Sequence, residues 1–258
     1  MKSIVITVPI YNEEQGVGEF IDEIFSFLTS YKIVFIVVND CSTDRTIEKI
    51  EELRQRGIEI QLLNNQHNVG HGMSTRRGLE EALNLKSDLI ISVDGDGQFL
   101  GEEIAEIIKI SIENPGCVVE GVRKNRSEPY YRKIVTNLTR VLVMTRTFKP
   151  VGDANTPLRA YPPVILRKIL GLVPNKALIP NLFISVISRL MKIEVIERDV
   201  TSLSRRGQTS EGVTWGHTRR NVPPKRYVVF CLKAIRQWTV IYSRSFKLAA
   251  SRLLNEES

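Results

Sequence analysis

Apolar positions in the first half of the chain follow two alternating rhythms. SIVITVP, KIVFIVV, IEIQLL and DLIISV are short runs dense in Ile and Val without polar alternation, which suits parallel strands covered on both faces. Between them apolar residues recur at helical spacing. Val17, Ile21, Ile24, Phe25 and Leu28 form one stripe, and Ile47, Ile50 and Leu53 another. Ser42 and Thr43 are expected to cap the second of these helices, with Asp44 at its positive end. Alternation at this pace predicts an α/β fold on a doubly wound, mostly parallel central sheet. Ligands bind such sheets beyond the carboxyl ends of the strands. VPIYNEE, VVNDCSTD and SVDGDGQ all fall at those ends.

The second half is less regular. CVVEGVR (Cys117 to Arg123) predicts a further strand, followed by a basic loop through Lys133 and a helix to about Thr147. VGDANTPLRAY reads as turns, and Pro162 and Pro163 open a short helix. IPNLFISVISRLMK is expected to be a helix, IEVIERDV a strand and SLSRRGQTSEG a polar loop. Pro223-Pro224 precedes an amphipathic helical extension, expected from Lys225 to about Leu254. Lys233, Arg236, Arg244 and Lys247 share one of its faces; Val228, Cys231, Ile235, Trp238, Tyr242 and Phe246 share the other. These features divide the chain into a main domain over residues 1–222, in halves 1–122 and 123–222, and a basic tail over 223–258.

Composition narrows the class. The 258 residues suffice for one to two domains with a full core, and 42% hydrophobic with 25% charged residues is ordinary for a globular protein. Three cysteines, odd in number and not in ligand spacing, read as reduced packing residues, which favours a cytoplasmic setting. Met1-Lys2-Ser3 leads straight into a strand with no signal-peptide layout. No stretch approaches the roughly 18 uncharged apolar residues of a membrane span. The net charge of +7 belongs to the C-terminal segment, where 11 Lys and Arg from Thr201 onward face 3 Asp and Glu, against 25 and 26 before it. Such a segment asks for an anionic partner: a membrane surface, a phosphorylated acceptor or nucleic acid. Nucleic acid is disfavoured, because the chain has no recognised binding module or aromatic stacking platform. For the tail helix three settings stay open: docked on the core, lying in a membrane interface, or contacting a second subunit as a homo-oligomer.

The candidate chemistry starts at DGDGQ. Gly95 and Gly97 let the chain turn tightly, so that Asp94 and Asp96 reach one point. Two close carboxylates repel unless a cation sits between them, and Mg²⁺ typically takes one or two carboxylates plus substrate phosphates. Gln98 offers a further, neutral oxygen; the competing account is an acidic surface turn. Asn39 and Asp40 end the second strand at the same edge, Asp40 placed to accept from a nucleobase N–H. Pro9 stiffens the exit of the first strand, with Tyr11 to stack and Glu13 to hydrogen-bond. His67 and His71 flank Asn68-Val69-Gly70 and read as loop and cap residues rather than metal ligands, at a helix N-terminus favourable to anions. His217 and Trp215 lie in a loop expected to close over the site.

In order and spacing, P-I-Y-N-E (Pro9 to Glu13), N-D-C-S-T-D (Asn39 to Asp44), N-V-G-H-G (Asn68 to Gly72), D-G-D-G-Q (Asp94 to Gln98), G-V-R (Gly121 to Arg123) and D-A-N-T-P-L-R-A-Y (Asp153 to Tyr161) resemble glycosyltransferase family 2. The likeness covers about residues 1–215 and is greatest to the dolichol-phosphate mannose synthase and polyprenyl-phosphate sugar transferase branch. It implies the GT-A nucleotide-diphospho-sugar transferase fold. It also implies inverting, Mg²⁺- or Mn²⁺-dependent transfer from a UDP- or GDP-sugar to a polyprenyl phosphate or a cell-surface glycan.

By the same resemblance, Pro9, Tyr11, Glu13, Asn39, Asp40 and Asp94 would hold the nucleotide, and Asp94, Asp96 and Gln98 the metal on its diphosphate. Arg123, Asp153 and Arg159 would be catalytic. Asp153 and Arg159 fall where that branch has a D-x-x-S-G-F-R element near sugar and acceptor phosphate; this chain has Thr156-Pro157-Leu158 inside it. Arg123 and one of Arg205 or Arg206 would meet phosphate, the branch's Arg-x-x-Gly-x-Ser pattern being shifted by one. A hydroxyl acceptor would need a carboxylate base, for which Asp153 is the candidate against a local turn role ahead of Asn155. A phosphate acceptor is already nucleophilic and needs positioning arginines instead. The alternative is a nucleotide-sugar-binding scaffold without transfer, suggested by the substituted Thr156-Pro157-Leu158. The expected location is the cytoplasm, peripheral on the membrane through 225–254 in the lipid-acceptor case.

Overall fold

The computed structural model describes residues 1–124, 130–207 and 223–239. Among them, seven strands form one sheet in the order β3-β2-β1-β4-β6-β5-β7. The four predicted Ile/Val runs are β1 (Ser3–Ile10), β2 (Lys32–Asn39), β3 (Ile60–Asn64) and β4 (Leu89–Ser92), mutually parallel. Helices α1 (Val17–Phe27), α2 (Thr46–Gln55) and α3 (His71–Ala82) connect them. The chain continues through α4 (Gly101–Glu113), β5 (Val118–Lys124), α5 (Tyr130–Thr147) and β6 (Arg159–Tyr161). It then forms α6 (Pro163–Leu172), α7 (Pro180–Leu190), β7 (Val195–Thr201) and α8 (Lys225–Trp238).

The unalternating strand sequences are explained by burial on both sides. Ile4, Ile6 and Val8 of β1 pack with Phe20, Ile21 and Ile24 of α1 and Ile104 and Ile107 of α4. Val5, Ile36 and Ile90 pack with Leu79 of α3, Leu166 and Ile169 of α6, and Phe183 and Ile187 of α7. Period-2 side chains of one strand thus enter two different cores.

Three features depart from the sequence expectations. β6, only three residues long, lies inside the segment expected to be turns and runs antiparallel to both β4 and β5. So short a strand leaves no periodic trace. Ser42 and Thr43 do not cap α2, which begins at Thr46; the Asp44 carboxylate accepts the Thr46 N–H at 3.1 Å instead. α8 is rotated from its expected orientation. Trp238 is buried 6.4 Å from Phe183, and Tyr227 meets Tyr131 edge-on at 5.2 Å. Val228 and Ile235, grouped with Trp238 in the sequence, are exposed. Gln237 fixes the docking, accepting from Leu178 N–H at 2.8 Å and donating to the Lys176 carbonyl at 2.7 Å.

Residues 240–258, with Tyr242, Arg244, Phe246 and Lys247, lie outside the described residues, as do Trp215 and His217. β5 runs through the boundary drawn at 122, so both expected halves share one sheet. No described helix is long and apolar enough to cross a membrane.

Candidate active site

The exits of β1 and β2 are locked to each other. Asn12 and Cys41 both adopt left-handed backbone, at φ 52° and 65°, a conformation that non-glycine residues take at a cost. Cross-links hold them there: the Asn12 N–H donates to Ser42 Oγ at 3.0 Å, and the Thr43 N–H to Asn12 Oδ1 at 2.9 Å. The Glu13 N–H adds a bond to Thr46 Oγ1 at 2.8 Å.

Asn39 and Asp40 are buried struts of this wall. Asn39 donates to Asn64 Oδ1 at 2.9 Å and accepts the Ser42 N–H at 3.0 Å. Asp40 accepts from Asn65 Nδ2, from the Val69 N–H and from the Gly70 N–H, each at 2.8 Å. The carboxylate expected to meet a nucleobase also holds the Asn68-Val69-Gly70 turn. That turn delivers His71 to the first position of α3, behind Gly70 at φ 90°.

At the end of β4 the chain turns back against β1. A Cβ on Gly95 would come within 2.4 Å of Ile10 Cγ2 and 3.0 Å of the Pro9 carbonyl, so only glycine fits. Gly95→Ala is expected to lower stability by about 1–3 kcal/mol through overpacking. An unchanged urea midpoint would show that the turn tolerates displacement.

The turn gathers charge. His71 Nε2 lies 3.3 Å from Asp94 Oδ1. The Asp96 carboxyl is pushed up to about 6, chiefly by burial and then by the neighbouring Asp94 charge. Glu13 is pushed up to about 8, again chiefly by burial, with Arg205 acting against the shift. Three carboxyls at the mouths of β1 and β4 thus face one guanidinium and one imidazole.

That guanidinium arrives on a strap following β7. The Leu203 N–H donates to the Gln98 carbonyl at 3.0 Å, and the Arg206 N–H to the Asp96 carbonyl at 3.0 Å. Gln98 Nε2 donates to the Leu203 carbonyl at 3.2 Å, so the amide expected beside a metal is turned toward the strap. The two arginines divide their work. Arg205 forks onto Glu13 with contacts of 3.1 and 2.5 Å. Arg206 points away, pairing with Glu23, lying 5.5 Å over the Phe20 ring and donating to the Gly97 carbonyl at 3.3 Å. Glu23 also accepts the Gly101 N–H at 2.6 Å, so one carboxylate joins α1, the start of α4 and the strap.

Beside this cluster, β6 begins where β4 ends, with Arg159 opposite Ser92. The preceding loop carries Asp153, buried and gripped by Arg123, whose Nε and Nη2 lie 2.7 and 3.3 Å from its two oxygens. Asp153 also accepts the Asn155 N–H at 3.2 Å, the local turn bond.

A match to the profile of Glycosyl transferase family 2 spans residues 5–170. The chain belongs to glycosyl transferase family 2. Among curated proteins, this family 2 chain is similar to undecaprenyl-phosphate 4-deoxy-4-formamido-L-arabinose transferases. That of Edwardsiella ictaluri is 27% identical over 197 residues, covering 74% of this chain and 59% of the relative. That of Yersinia pestis is 28% identical over 200 residues, covering 76% and 59%. The chain thus spans about three fifths of the length of these relatives. Among solved structures it resembles glucosyl-3-phosphoglycerate synthase from Mycobacterium tuberculosis in complex with Mn²⁺, UDP-glucose and glycerol 3-phosphate. The TM-score is 0.60 and the identity 16%, over 81% of this chain and 73% of that one. The same enzyme with Mn²⁺, UDP and glucosyl-3-phosphoglycerate gives 0.59 and 17%. The fold is that of the GT-A glycosyltransferases.

Within this family 2 site, Pro9, Glu13, Asp94, Asp96 and Arg205 lie together at one edge of the sheet. Arg159 lies in the interior beside this edge. It is wholly buried, donating to Glu120 at 2.6 Å, Ser185 Oγ at 2.7 Å, and the Thr156 and Ala154 carbonyls at 3.0 and 3.2 Å. Sequence reasoning missed its partner Glu120, which also pairs with Arg189, both polar letters inside apolar runs. It also set His71 aside, although its place one turn before Thr75 on α3 aims it at the Asp94 edge.

Proposed function

We propose that this chain transfers a sugar from a nucleotide-diphosphate sugar to a phosphate-bearing acceptor, a polyprenyl phosphate first among them. One observation carries the reading: Glu13, Asp94, Asp96, His71 and Arg205 meet where the parallel strands β1 and β4 end. The polyprenyl-phosphate acceptor is supported by the names of the curated relatives, and the donor by the UDP-glucose complex of the structural neighbour.

Asp94 and Asp96 suit a hard divalent cation, Mg²⁺ or Mn²⁺, because they are neighbouring oxygen donors and, after burial, the Asp94 charge raises the proton affinity of Asp96. Bound there, the ion would supply charge neutralisation for the leaving diphosphate. Arg205 is the guanidinium placed to share that load, exchanging Glu13 for a phosphate oxygen. Pro9 and Tyr11 border the nucleotide, with Asn39 and Asp40 holding its wall in shape. The Arg123–Asp153 pair serves the acceptor side: Arg123 orients an acceptor phosphate, and Asp153 holds Arg123 rather than abstracting a proton.

Incubation with a panel of UDP- and GDP-sugars, Mn²⁺ and undecaprenyl phosphate should release nucleotide diphosphate and form a lipid-linked sugar. Nucleotide binding without product from any acceptor would leave the idle-scaffold reading in its place. Arg205→Ala and Arg206→Ala should both lower activity, by different routes. Loss of Arg205 should weaken the response to nucleotide diphosphate directly. Arg206→Ala frees the strap and should cost roughly 10- to 100-fold, as for other supporting residues. Restoration of most of that activity by Arg206→Lys, which can still reach Glu23, would identify Arg206 as a positioning residue.

A further inference from the structure

A row of polar and charged side chains crosses one half of the sheet. Ser92 of β4, Arg159 of β6, Glu120 of β5 and Glu197 of β7 stand in register on neighbouring strands, so their side chains share the face covered by α7. Glu120 and Glu197 are like charges placed side by side, an arrangement that repels. Arg189 of α7 bridges them, its Nη2 donating to Glu120 Oε2 at 3.0 Å and to Glu197 Oε1 at 2.8 Å. Glu120 and Arg159 are wholly buried, whereas the Glu197 side chain is 33% exposed at the sheet edge. The row and Arg189 are tied to the backbone of the loop entering β6. Arg189 Nε donates to the Pro150 carbonyl at 3.4 Å, and the Gly152 N–H donates to Glu197 Oε1 at 2.9 Å. Arg159 donates to the Ala154 and Thr156 carbonyls. The residues between hold Arg123: the Asp153 carboxylate accepts from its Nε and Nη2, and the Asn155 carbonyl accepts from Nη2 at 3.0 Å. Even-numbered positions of this loop therefore bind the row, and odd-numbered ones bind Arg123.

We propose that Glu197 is a positioning residue for the acceptor phosphate, acting through Gly152 on Asp153 and so on the Arg123 guanidinium. The inference rests on the proposed reaction, in which Arg123 orients that phosphate. Two observations single out Glu197. It holds Gly152, directly before Asp153, and the approach needs glycine: a Cβ there would come within 2.7 Å of Glu197 Oε2 and 2.8 Å of Val122 Cγ2. Cohesion of the sheet, in contrast, does not call for a carboxylate at this place. Arg189 already has Glu120 as a buried counter-charge, and a second glutamate beside Glu120 adds repulsion. What Glu197 contributes is the grip on the loop. Misplacing a substrate-positioning group by 1 Å can cost about 10²-fold in rate, so a loop tied to fixed charges at alternate residues keeps Arg123 in place.

The test compares Glu197→Ala and Glu197→Gln with the parent, using undecaprenyl phosphate as acceptor. Glu197→Ala should raise KM for undecaprenyl phosphate roughly tenfold. KM for the nucleotide sugar and the thermal shift given by Mn²⁺ with UDP or GDP should stay as they were. In the same variant the backbone amides of residues 151–156 should exchange with deuterium about tenfold faster, and those of the Asp94–Gln98 turn no faster. Glu197→Gln keeps an oxygen for the Gly152 N–H and should restore both readings to near those of the parent. The proposal is overturned if amides 151–156 exchange alike in the parent and Glu197→Ala, or if KM for undecaprenyl phosphate does not move. It is equally overturned if donor and acceptor KM rise together with a lower melting temperature, or if Glu197→Gln is as impaired as Glu197→Ala. Faster exchange in Glu197→Ala beside a parent that transfers to no acceptor would instead overturn the proposed reaction, with the loop still set by Glu197.

Discussion

Asp96→Ala is expected to lower kcat/KM for sugar transfer by about 10³-fold or more, equivalent to ~4 kcal/mol of transition-state stabilisation. Asp96 is the carboxyl that Asp94 and burial together hold at about 6. Removing it halves the donor set proposed for the divalent cation, at the point where the diphosphate must be neutralised. The fold should survive, because the substitution relieves a repulsion and gives up only the Gln98 N–H bond to Asp96 Oδ1 at 3.2 Å. Asp96→Asn should therefore melt at or slightly above the parent temperature, yet lose the stabilisation that Mn²⁺ with UDP or GDP gives the parent. Full turnover in either variant would remove the acidic turn from the mechanism.

Glu120→Ala should act in the opposite way, on stability before chemistry. Glu120 and Arg159 are wholly buried, and Glu120 bridges Arg159 at 2.6 Å to Arg189 at 3.0 Å. Arg189 continues to Glu197 at 2.8 Å. Removing the central carboxylate leaves one arginine without a counter-charge and the other with only Glu197. Breaking a buried pair from one side costs about 3–5 kcal/mol, against a total of roughly 5–15 kcal/mol for a domain. Urea unfolding should show a midpoint lower by that fraction at an unchanged slope. A loss under about 1 kcal/mol would mean that the arginines find water or other acceptors. Because Arg159 also holds the Ala154 and Thr156 carbonyls, a folded Glu120→Gln variant should still misplace Asp153 and lose activity more than stability.

The first half was legible in the sequence because its signals are repetitive and local. Four Ile/Val runs alternating with amphipathic stripes fix a parallel sheet, and acidic letters at the ends of apolar runs fix its functional edge. The second half was less legible. β6 is too short for a pattern, and nothing nearby in sequence names Glu120 as the partner of Arg159, 39 positions away. Asp40 was recognised as an acceptor, but its donors, the Val69 and Gly70 N–H groups, have no letter of their own. The choice between Arg205 and Arg206 likewise depends on Glu13 and Glu23, which lie more than 180 residues away in sequence.

The reversed strand β6 has a topological consequence. In an all-parallel sheet, the segment entering a strand lies at the far rim from the segments leaving its neighbours. With β6 inverted between β4 and β5, its incoming loop, residues 150–158, emerges beside the outgoing ends of both. A peptide insert placed in that loop would therefore reshape the rim next to the acidic turn without touching any strand-to-helix connection among β1, β2 and β3. The architecture separates two kinds of change: the 150–158 rim can drift while the strand-to-helix turns of β1 and β2 stay fixed.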